Sequence, residues 1–348
     1  MYDVLKISNF RGFREFSMDL KPITLIAGEN NTGKTSILES VFLLHNYKNP
    51  DVFLKLLGFR GVIMRDMSPQ KIWEPLFYGM DTKKILKITM GNRFSLCIKR
   101  NNNYTLPNDI PNGLSTILGN NLVNYTLSCM VKQDDSTYKG DYVLGDNVIL
   151  FGDKKVNQQL ITPFIQYMGS NLPLDAVNSV ELFGKIELMG KKQKIIESLK
   201  ILDESITDIT TIMIDKFAQL YITNTQNIKM PLYVMGDGIR KIMNVALTML
   251  ANPSSILLLD EIENGLHYSL HAKFWALITS LAVQEKCQII ATTHSYECIN
   301  GALEGIKKEG LNEIFAYTRL AREDDCIISK EFSSKILEFA LSTNWEVR

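Results

Sequence analysis

Residues Gly28-Glu29-Asn30-Asn31-Thr32-Gly33-Lys34-Thr35 fit the pattern G-x-x-x-x-G-K-[ST] in full. A loop with this spacing can wrap a phosphate. Its glycines let the backbone turn tightly, and the amides from Asn30 to Ser36 aim positive potential at an anion where the next helix begins. Lys34 then faces the β- and γ-phosphates of a nucleotide, and the Thr35 hydroxyl is a ligand for magnesium. A second run, Ile256-Leu257-Leu258-Leu259-Asp260-Glu261, places two carboxylates after four apolar residues. That composition is a buried strand whose carboxyl end presents acids where open α/β sheets bind ligands. Asp260 is placed to hold magnesium through water or through Thr35, and Glu261 to orient or deprotonate an attacking water. Taken singly, each run has a plain alternative, a chance glycine turn or a solvated acidic turn. Together they point to ATP with Mg2+ as the cofactors.

Positioning these groups takes strands and helices in a definite order. Tyr2–Ile7 and Ile23–Ala27 read as strands, and Lys34 to about His45 reads as a helix, with apolar residues at Ile37, Leu38, Val41, Phe42 and Leu44. From Ile85 to Leu150 short alternating runs separated by Asn-, Asp- and Gly-rich turns predict an antiparallel sheet. Residues of about 158 to 218 read as mostly helical, and the stretch from Val180 to Phe217, with apolar spacing near 3.6, predicts a long arm or a helical pair. A helix over about Gly238–Leu250, a strand at Ile256–Leu259, a helix over about Ser269–Gln284 and a strand at Gln288–Thr292 restore the α/β pattern. A helix, two strands and a closing helix follow His294. The expected domains are a nucleotide-binding head from 1–55 and 229–348, an inserted β-rich subdomain at 56–157, and a helical arm at 158–228.

Composition narrows the class. The 348 residues hold 38 basic and 38 acidic side chains, so the formal charge is zero, which argues against a histone-like or tail-type nucleic-acid binder and leaves room for a local basic patch. Hydrophobic residues at 45% describe a globular chain able to bury a large core. Apolar runs are too short for a membrane helix, and the start MYDVLKISNFRGF lacks the features of a leader. The 5 cysteines are scattered without CxxC spacing, which fits reduced thiols in the cytoplasm.

The residues ISNFRGF, ITLIAGENNTGKTSILESV, LLLDEIENGLHYSLH and QIIATTHSYECI resemble ABC-type ATPases of the SMC/RecF class. They are most similar to the ATPase part of OLD (overcoming lysogenization defect) family nucleases and their stand-alone relatives, whose end NWEVR also resembles. The resemblance covers about 1–55 and 229–348. It implies an α/β fold, a P-loop NTPase ABC-type head with an inserted antiparallel β-sheet and a helical arm. It also implies further site residues. His294 would sense the γ-phosphate. Gly236, Asp237 and Gly238, with Arg240, would form the signature loop that meets the γ-phosphate of an opposite subunit. Met235 stands at the usual serine position of the transporter form, so Arg240 is expected to compensate. Asn264, in the Glu263–His267 loop, would link two active sites across a dimer. Gln70 is the candidate Q-loop residue, and Arg11 a candidate nucleotide or partner contact. The plain alternatives are a capping histidine, a glycine turn before a helix, a polar turn, and a solvated glutamine and arginine.

What the resemblance implies about function is a homodimer, or higher homo-oligomer, that sandwiches two ATP molecules. Too few residues follow His294 for the TOPRIM nuclease domain of OLD proteins. A separately encoded effector, nuclease or toxin, is therefore expected, in anti-phage defence. The alternatives are a RecF-like DNA-repair or recombination clamp, a non-hydrolysing assembly scaffold and a transporter subunit. DNA contact would fall on Lys83-Lys84, Lys191-Lys192-Lys194 or Lys307-Lys308; solvated surface is the plainer reading of each. No membrane partner is expected.

Overall fold

The computed structural model describes residues 1–62, 72–101, 126–144, 149–154, 162–169, 176–343 and 345–348. The chain opens with an antiparallel pair, β1 (Val4–Phe10) and β2 (Phe13–Asp19), then β3 (Ile23–Gly28), α1 (Lys34–His45) and α2 (Val52–Phe59). Strands β4 (Leu86–Met90), β5 (Phe94–Asn101), β6 (Thr126–Gln133), β7 (Ser136–Leu144) and β8 (Ile149–Lys154) follow. They do not form a sheet of their own. β1 pairs with β4 from Leu5↔Met90 to Ser8↔Lys87, giving one seven-stranded sheet in the order β2-β1-β4-β5-β6-β7-β8. The inserted β-rich subdomain expected at 56–157 is thus corrected: it completes a sheet begun at the N-terminus. Sequence period cannot reveal a pairing between strands some 80 residues apart.

The second sheet holds the chemistry. β9 (Ile165–Met168) comes next in the chain, followed by α3 (Ala176–Leu188), α4 (Lys192–Lys200), β10 (Ile206–Ile214), β11 (Phe217–Asn224) and β12 (Lys229–Pro231). Then come α5 (Asp237–Ala251), β13 (Ile256–Leu259), α6 (His271–Glu285), β14 (Gln288–Thr292), α7 (Tyr296–Lys308), β15 (Phe315–Glu323), β16 (Cys326–Phe332) and α8 (Ser334–Ser342). Six of these strands order as β16-β15-β3-β14-β13-β9, all parallel except β16. The helical arm expected at 158–228 is also corrected. It contributes β9 to this sheet, two helices, and β10 and β11, which pair with β12 in a small antiparallel sheet.

Alternation along β3 shows how the layers stack. Ile26 packs with α1, α2 and the seven-stranded sheet, while Ile23, Leu25 and Ala27 pack on the other side with α5, α6 and α7. Helix α1 lies between the two sheets, and every residue from Ser36 to His45 is buried. A helix buried all round explains its apolar run Ile37-Leu38 and Val41-Phe42-Leu43-Leu44. Each such side chain contributes about 1.5–3 kcal/mol by leaving water. The phosphate-loop helix is therefore anchored in the core on all sides. No helix among the described residues is long and apolar enough to cross a membrane.

Helices α6 and α7 approach unusually closely, and glycine permits it. A Cβ on Gly305 would stand 2.3 Å from the Ala272 carbonyl oxygen and 2.9 Å from the Ala276 amide nitrogen. Gly305→Leu is expected to destabilise the protein by about 2 kcal/mol or more, because backbone on the opposite helix cannot give way. Gly58→Ala, on α2 with open space around it, is the control and should be neutral or stabilising by up to ~1 kcal/mol. Urea unfolding of the two variants checks both.

Candidate active site

The parallel strands end together, and their carboxyl ends gather the predicted residues. β3 runs into the loop that carries Gly28, Asn30, Asn31, Thr32 and Gly33, and α1 begins at Lys34, Thr35 and Ser36. Gly33 has a φ of 90°, and a Cβ there would meet the Phe13 ring at 2.7 Å, so glycine is required. Thr32 closes the loop by donating its hydroxyl to the Glu29 carbonyl at 2.8 Å. The Lys34 ammonium lies over the loop, donating to the carbonyls of Gly28 at 2.6 Å and Glu29 at 2.8 Å. Burial lowers its pKa, and the charges of Asp260, Glu261 and Glu263 pull the other way. Those three acids therefore share one electrostatic site with the lysine.

Asp260 is where the strands converge. Its Oδ2 accepts from the Thr35 hydroxyl at 2.9 Å and from the Tyr167 hydroxyl at 2.8 Å, and its Oδ1 accepts from Thr292 at 2.5 Å. Hard oxygen donors on Thr35 and Asp260, side by side at the phosphate loop, fit magnesium, which binds through few protein ligands plus phosphate oxygens. The described residues hold no group of three or more His, Cys, Asp and Glu able to cage a metal without substrate. Burial, with Asp260 next, pushes the Tyr167 phenol far above its usual range, so the hydroxyl remains a donor.

Glu261 follows in the left-handed region, with φ of 49°. That turn swings the chain out of the strand. Its amide donates to Thr292 Oγ1 at 2.9 Å, and its Oε2 accepts from the Asn264 amide at 2.6 Å. Asn264 thus steadies Glu261 within its own chain. His294 is held by Glu263, whose Oε1 accepts from the His294 amide at 3.0 Å and lies 3.2 Å from Nδ1. The histidine side chain is half-exposed beside the strand ends, and the buried Glu263 orients it.

Gly236, Asp237, Gly238 and Arg240 sit at the start of α5, and Arg240 pairs with Asp237. Among the described residues no hydrogen bond joins this loop to the phosphate loop. It meets the acidic loop instead: Gly238 packs on Gly265, and a cleft of about 170 Å³ is lined by Asp237, Arg240, Lys241, Asp260 and Asn264. Gln70 lies outside the described residues. Arg11, the candidate nucleotide or partner contact, is turned inward, and its guanidinium pairs with Glu39 at 3.2 Å. The lysine clusters are largely occupied as well. Lys191 and Lys194 pair with Glu285, Lys192 with Asp208, Lys84 with Asp81 and Lys307 with Glu338.

Sequence reasoning passes over five residues that shape the site. Tyr167 lies in the run Phe164-Ile165-Gln166-Tyr167-Met168-Gly169, whose aromatic and β-branched content signals a strand. Thr292 precedes the Thr293-His294 pair that draws attention first. Glu39, wholly buried on α1, is bonded through both oxygens by Arg60, which also donates to Ser36 Oγ at 2.9 Å. The Glu39 hydrogen bond raises the Arg60 pKa, while burial lowers that of Arg11. Lys241 carries no signal in sequence, being one more cation on a helix. In the fold it is buried, and its ammonium donates to the carbonyls of Ile262 at 2.5 Å and Asn264 at 2.7 Å, and more weakly to Glu261 at 3.5 Å. Burial lowers its pKa from the ordinary 10.5 to about 8.

Known proteins resemble this chain. Residues 1–139 and 151–299 match the AAA ATPase domain family. A protein of Helicobacter pylori named ATP/GTP phosphatase is 23% identical over 368 aligned positions, covering 97% of each chain. An uncharacterized protein of Methanocaldococcus jannaschii is 32% identical over 112 residues, 31% of this chain and 50% of its own. Among solved structures, an SMC head bound to the winged-helix domain of ScpA aligns over 95% of this chain and 98% of its own. Its TM-score is 0.51 at 12% identity, a likeness of fold.

Lys241→Met is expected to cut hydrolysis about ten-fold while leaving nucleotide affinity within about two-fold, since charged hydrogen bonds that place Glu261 are lost and the phosphate loop is not. Linkage supplies a second readout. Between pH 8 and 10.5 the unfolded chain keeps a proton that folded Lys241 has released. Stability then rises with pH. Wild type should therefore gain stability relative to Lys241→Met across that window in parallel urea titrations.

Proposed function

Since the chain belongs to the AAA ATPase domain family and is an ATPase, we propose that two copies close around two ATP molecules with magnesium and so control a separately encoded effector. The setting we infer, from the OLD-like motifs, is cytoplasmic anti-phage defence. The observation that carries the enzymatic part is the 2.9 Å contact between Thr35 and Asp260, with Glu261 next in the chain. Thr35 and Asp260 would hold magnesium, which when bound would supply positive charge to the phosphate oxygens. Lys34 adds a cation from the loop, and the amides of Asn30 to Ser36 cradle the same oxygens. Glu261 accepts the proton of the attacking water, Asn264 keeps its carboxylate aimed, and His294, braced by Glu263, faces the transferred phosphoryl group. The dimer is supported by the separation within one chain: among the described residues the Gly236–Gly238 loop makes no hydrogen bond to its own phosphate loop, and Gly236 and Asp237 are exposed. Exposed Tyr233 and Val234 precede it. Beyond the head, the β10–β11 turn, with Met213 66% and Phe217 70% exposed, is the proposed contact with another chain.

A clamp on DNA is a second reading, and one surface favours it. The outer face of the seven-stranded sheet aligns Lys6, Thr89, Ser95 and Lys132 in one row and Ser8, Lys87, Cys97, Met130 and Lys139 in the next. Lys99 adds to it from β5. All five lysines are exposed and make no ion pair among the described residues. Strand spacing sets Lys6 and Lys132, and likewise Lys87 and Lys139, roughly 14 Å apart. The nearby acids are engaged, Glu15 by Ser8 and Asp141 by Ser128. Lys87→Glu with Lys132→Glu should weaken duplex DNA binding at least ~10-fold at low salt and flatten its salt dependence. ATP hydrolysis without DNA should be unchanged. Equal binding by the double variant removes the clamp reading.

Glu261→Gln tests the principal reading. The variant retains Lys34, Thr35 and Asp260, so it should bind ATP with magnesium while hydrolysis falls by about 10²-fold, as for loss of a general base. ATP then persists between the copies and the dimer should accumulate on size-exclusion chromatography. Asp260→Asn weakens the magnesium site and should trap no dimer. Wild-type turnover by Glu261→Gln sinks the catalytic assignment. An inactive variant that stays as dispersed as wild type sinks the sandwich.

A further inference from the structure

We propose that the cleft between the phosphate loop and the end of β15 is the nucleoside subsite, and that the purine of a bound nucleotide stacks there on the Arg322 guanidinium. This rests on the reading of the loop as the phosphate cradle. Strand order supplies the direction. β3 enters the loop, with β14 and then β13 on one side of it and β15 on the other. The Thr35–Asp260 contact sets the γ-phosphate end on the β13 side, roughly 10 Å or two strand spacings from β3. A nucleotide lying across the strand ends therefore carries its nucleoside toward β15. There the structure has a cleft of about 320 Å³, lined by Glu29, Asn30 and Asn31 from the loop and by Arg319 and Arg322 from β15.

Loop and strand are held closely together. β15 runs parallel to β3, with Arg319 opposite Ala27 and Leu320 opposite Gly28. A Cβ on Gly28 would stand 2.8 Å from the Leu320 carbonyl oxygen. Across the β15–β16 hairpin Arg322 pairs with Ile327, whose side chain lies 3.3 Å from where a Cβ on Gly33 would be. Alternation puts Arg322 on the face of β15 that carries Leu320, the face turned to the core around α1. Arg322 is exposed and makes no ion pair among the described residues. Arg319 donates to the Glu346 carbonyl at 3.3 Å, and its Nε is buried without a partner. The chemistry suits a nucleoside better than another phosphate. A planar guanidinium stacks on ring faces. The Glu29 carboxylate beside it repels phosphate and accepts from sugar hydroxyls. Stacking ignores the groups at the edge of a base, so adenine and guanine serve alike.

Non-hydrolysable ATP and GTP analogues and, separately, inorganic tripolyphosphate would be titrated calorimetrically with magnesium into the full chain. Arg322→Ala should weaken both nucleotides about three- to ten-fold, the scale of one cation–π contact, and leave tripolyphosphate within about two-fold. Arg322→Lys keeps the charge without the plane, and should weaken the nucleotides nearly as much. Equal loss for nucleotides and tripolyphosphate overturns the proposal, because the arginine then serves the phosphates. So does an Arg322→Ala protein that binds all three like wild type, a loss confined to one base, or full rescue by lysine. Arg322 is exposed on a hairpin, so these substitutions leave the core intact. Lys34→Ala separates the two failures. If it leaves all three affinities intact, the reading of the loop is wrong. If it weakens all three while Arg322→Ala leaves the nucleotides and tripolyphosphate in their wild-type ratio, only the subsite is wrong.

Discussion

A carboxylate at the end of a wholly apolar strand must be solvated by its own protein. β13 is four buried aliphatic residues, and Asp260 is the first polar group the chain meets after them. Its oxygens take hydroxyls from three separate elements: Thr35 from α1, Tyr167 from β9 and Thr292 from β14. Each of these arrives only if its strand or helix is in register with β13. The strand order β3-β14-β13-β9 is what brings them to one point. A charge that is expensive to bury alone therefore becomes a device that ties the phosphate loop to the sheet.

The parts of this arrangement that are local in sequence are legible there. The helix expected from Lys34 to His45 and the strands at Ile256–Leu259 and Gln288–Thr292 have those same limits in the fold. Walker-type glycines and the acidic strand carry their own spacing, so residue order alone singles out Lys34, Thr35, Asp260 and Glu261. Long-range pairing is not legible. Nothing in the period of β4 says that it continues β1. In the middle of the chain, helical spacing from Val180 to Leu199 invites extension across Ile206–Asn224, although the Asp215-Lys216 turn between alternating runs marks a hairpin. The strand β9 is only four residues long, too short to show a period, and Tyr167 is hidden with it. Partners defined by register, such as Thr292 to Asp260, have no sequence signature at all.

Buried charge also explains residues that look ordinary in sequence. Glu39 has no exposed side-chain surface and is matched by Arg11 and Arg60. Such a group is weak support for stability, because removing two charges from water costs what their attraction returns. Its value is geometric. Arg11 comes from the β1–β2 turn, Arg60 from the end of α2, and both close on the helix that opens at Lys34. Removal of either arginine leaves a buried carboxylate short of a partner. The arrangement is therefore intolerant of slippage in the place where a slip would move the phosphate loop.

Lys241 does for the acidic loop what Glu39 does for α1, with the opposite sign and without a carboxylate in direct contact. Its three acceptors are backbone carbonyls within residues 261 to 264. Gly238 and Gly265 are in contact close by, with little room for a side chain on either. The start of α5 and the loop bearing Glu261 and Asn264 are consequently one mechanical unit. Asn264 also donates to Glu261, so this unit is joined to the carboxylate by a side-chain hydrogen bond. The cleft beside them is lined by Asp237, Arg240, Lys241, Asp260 and Asn264, so the unit borders Asp260 directly.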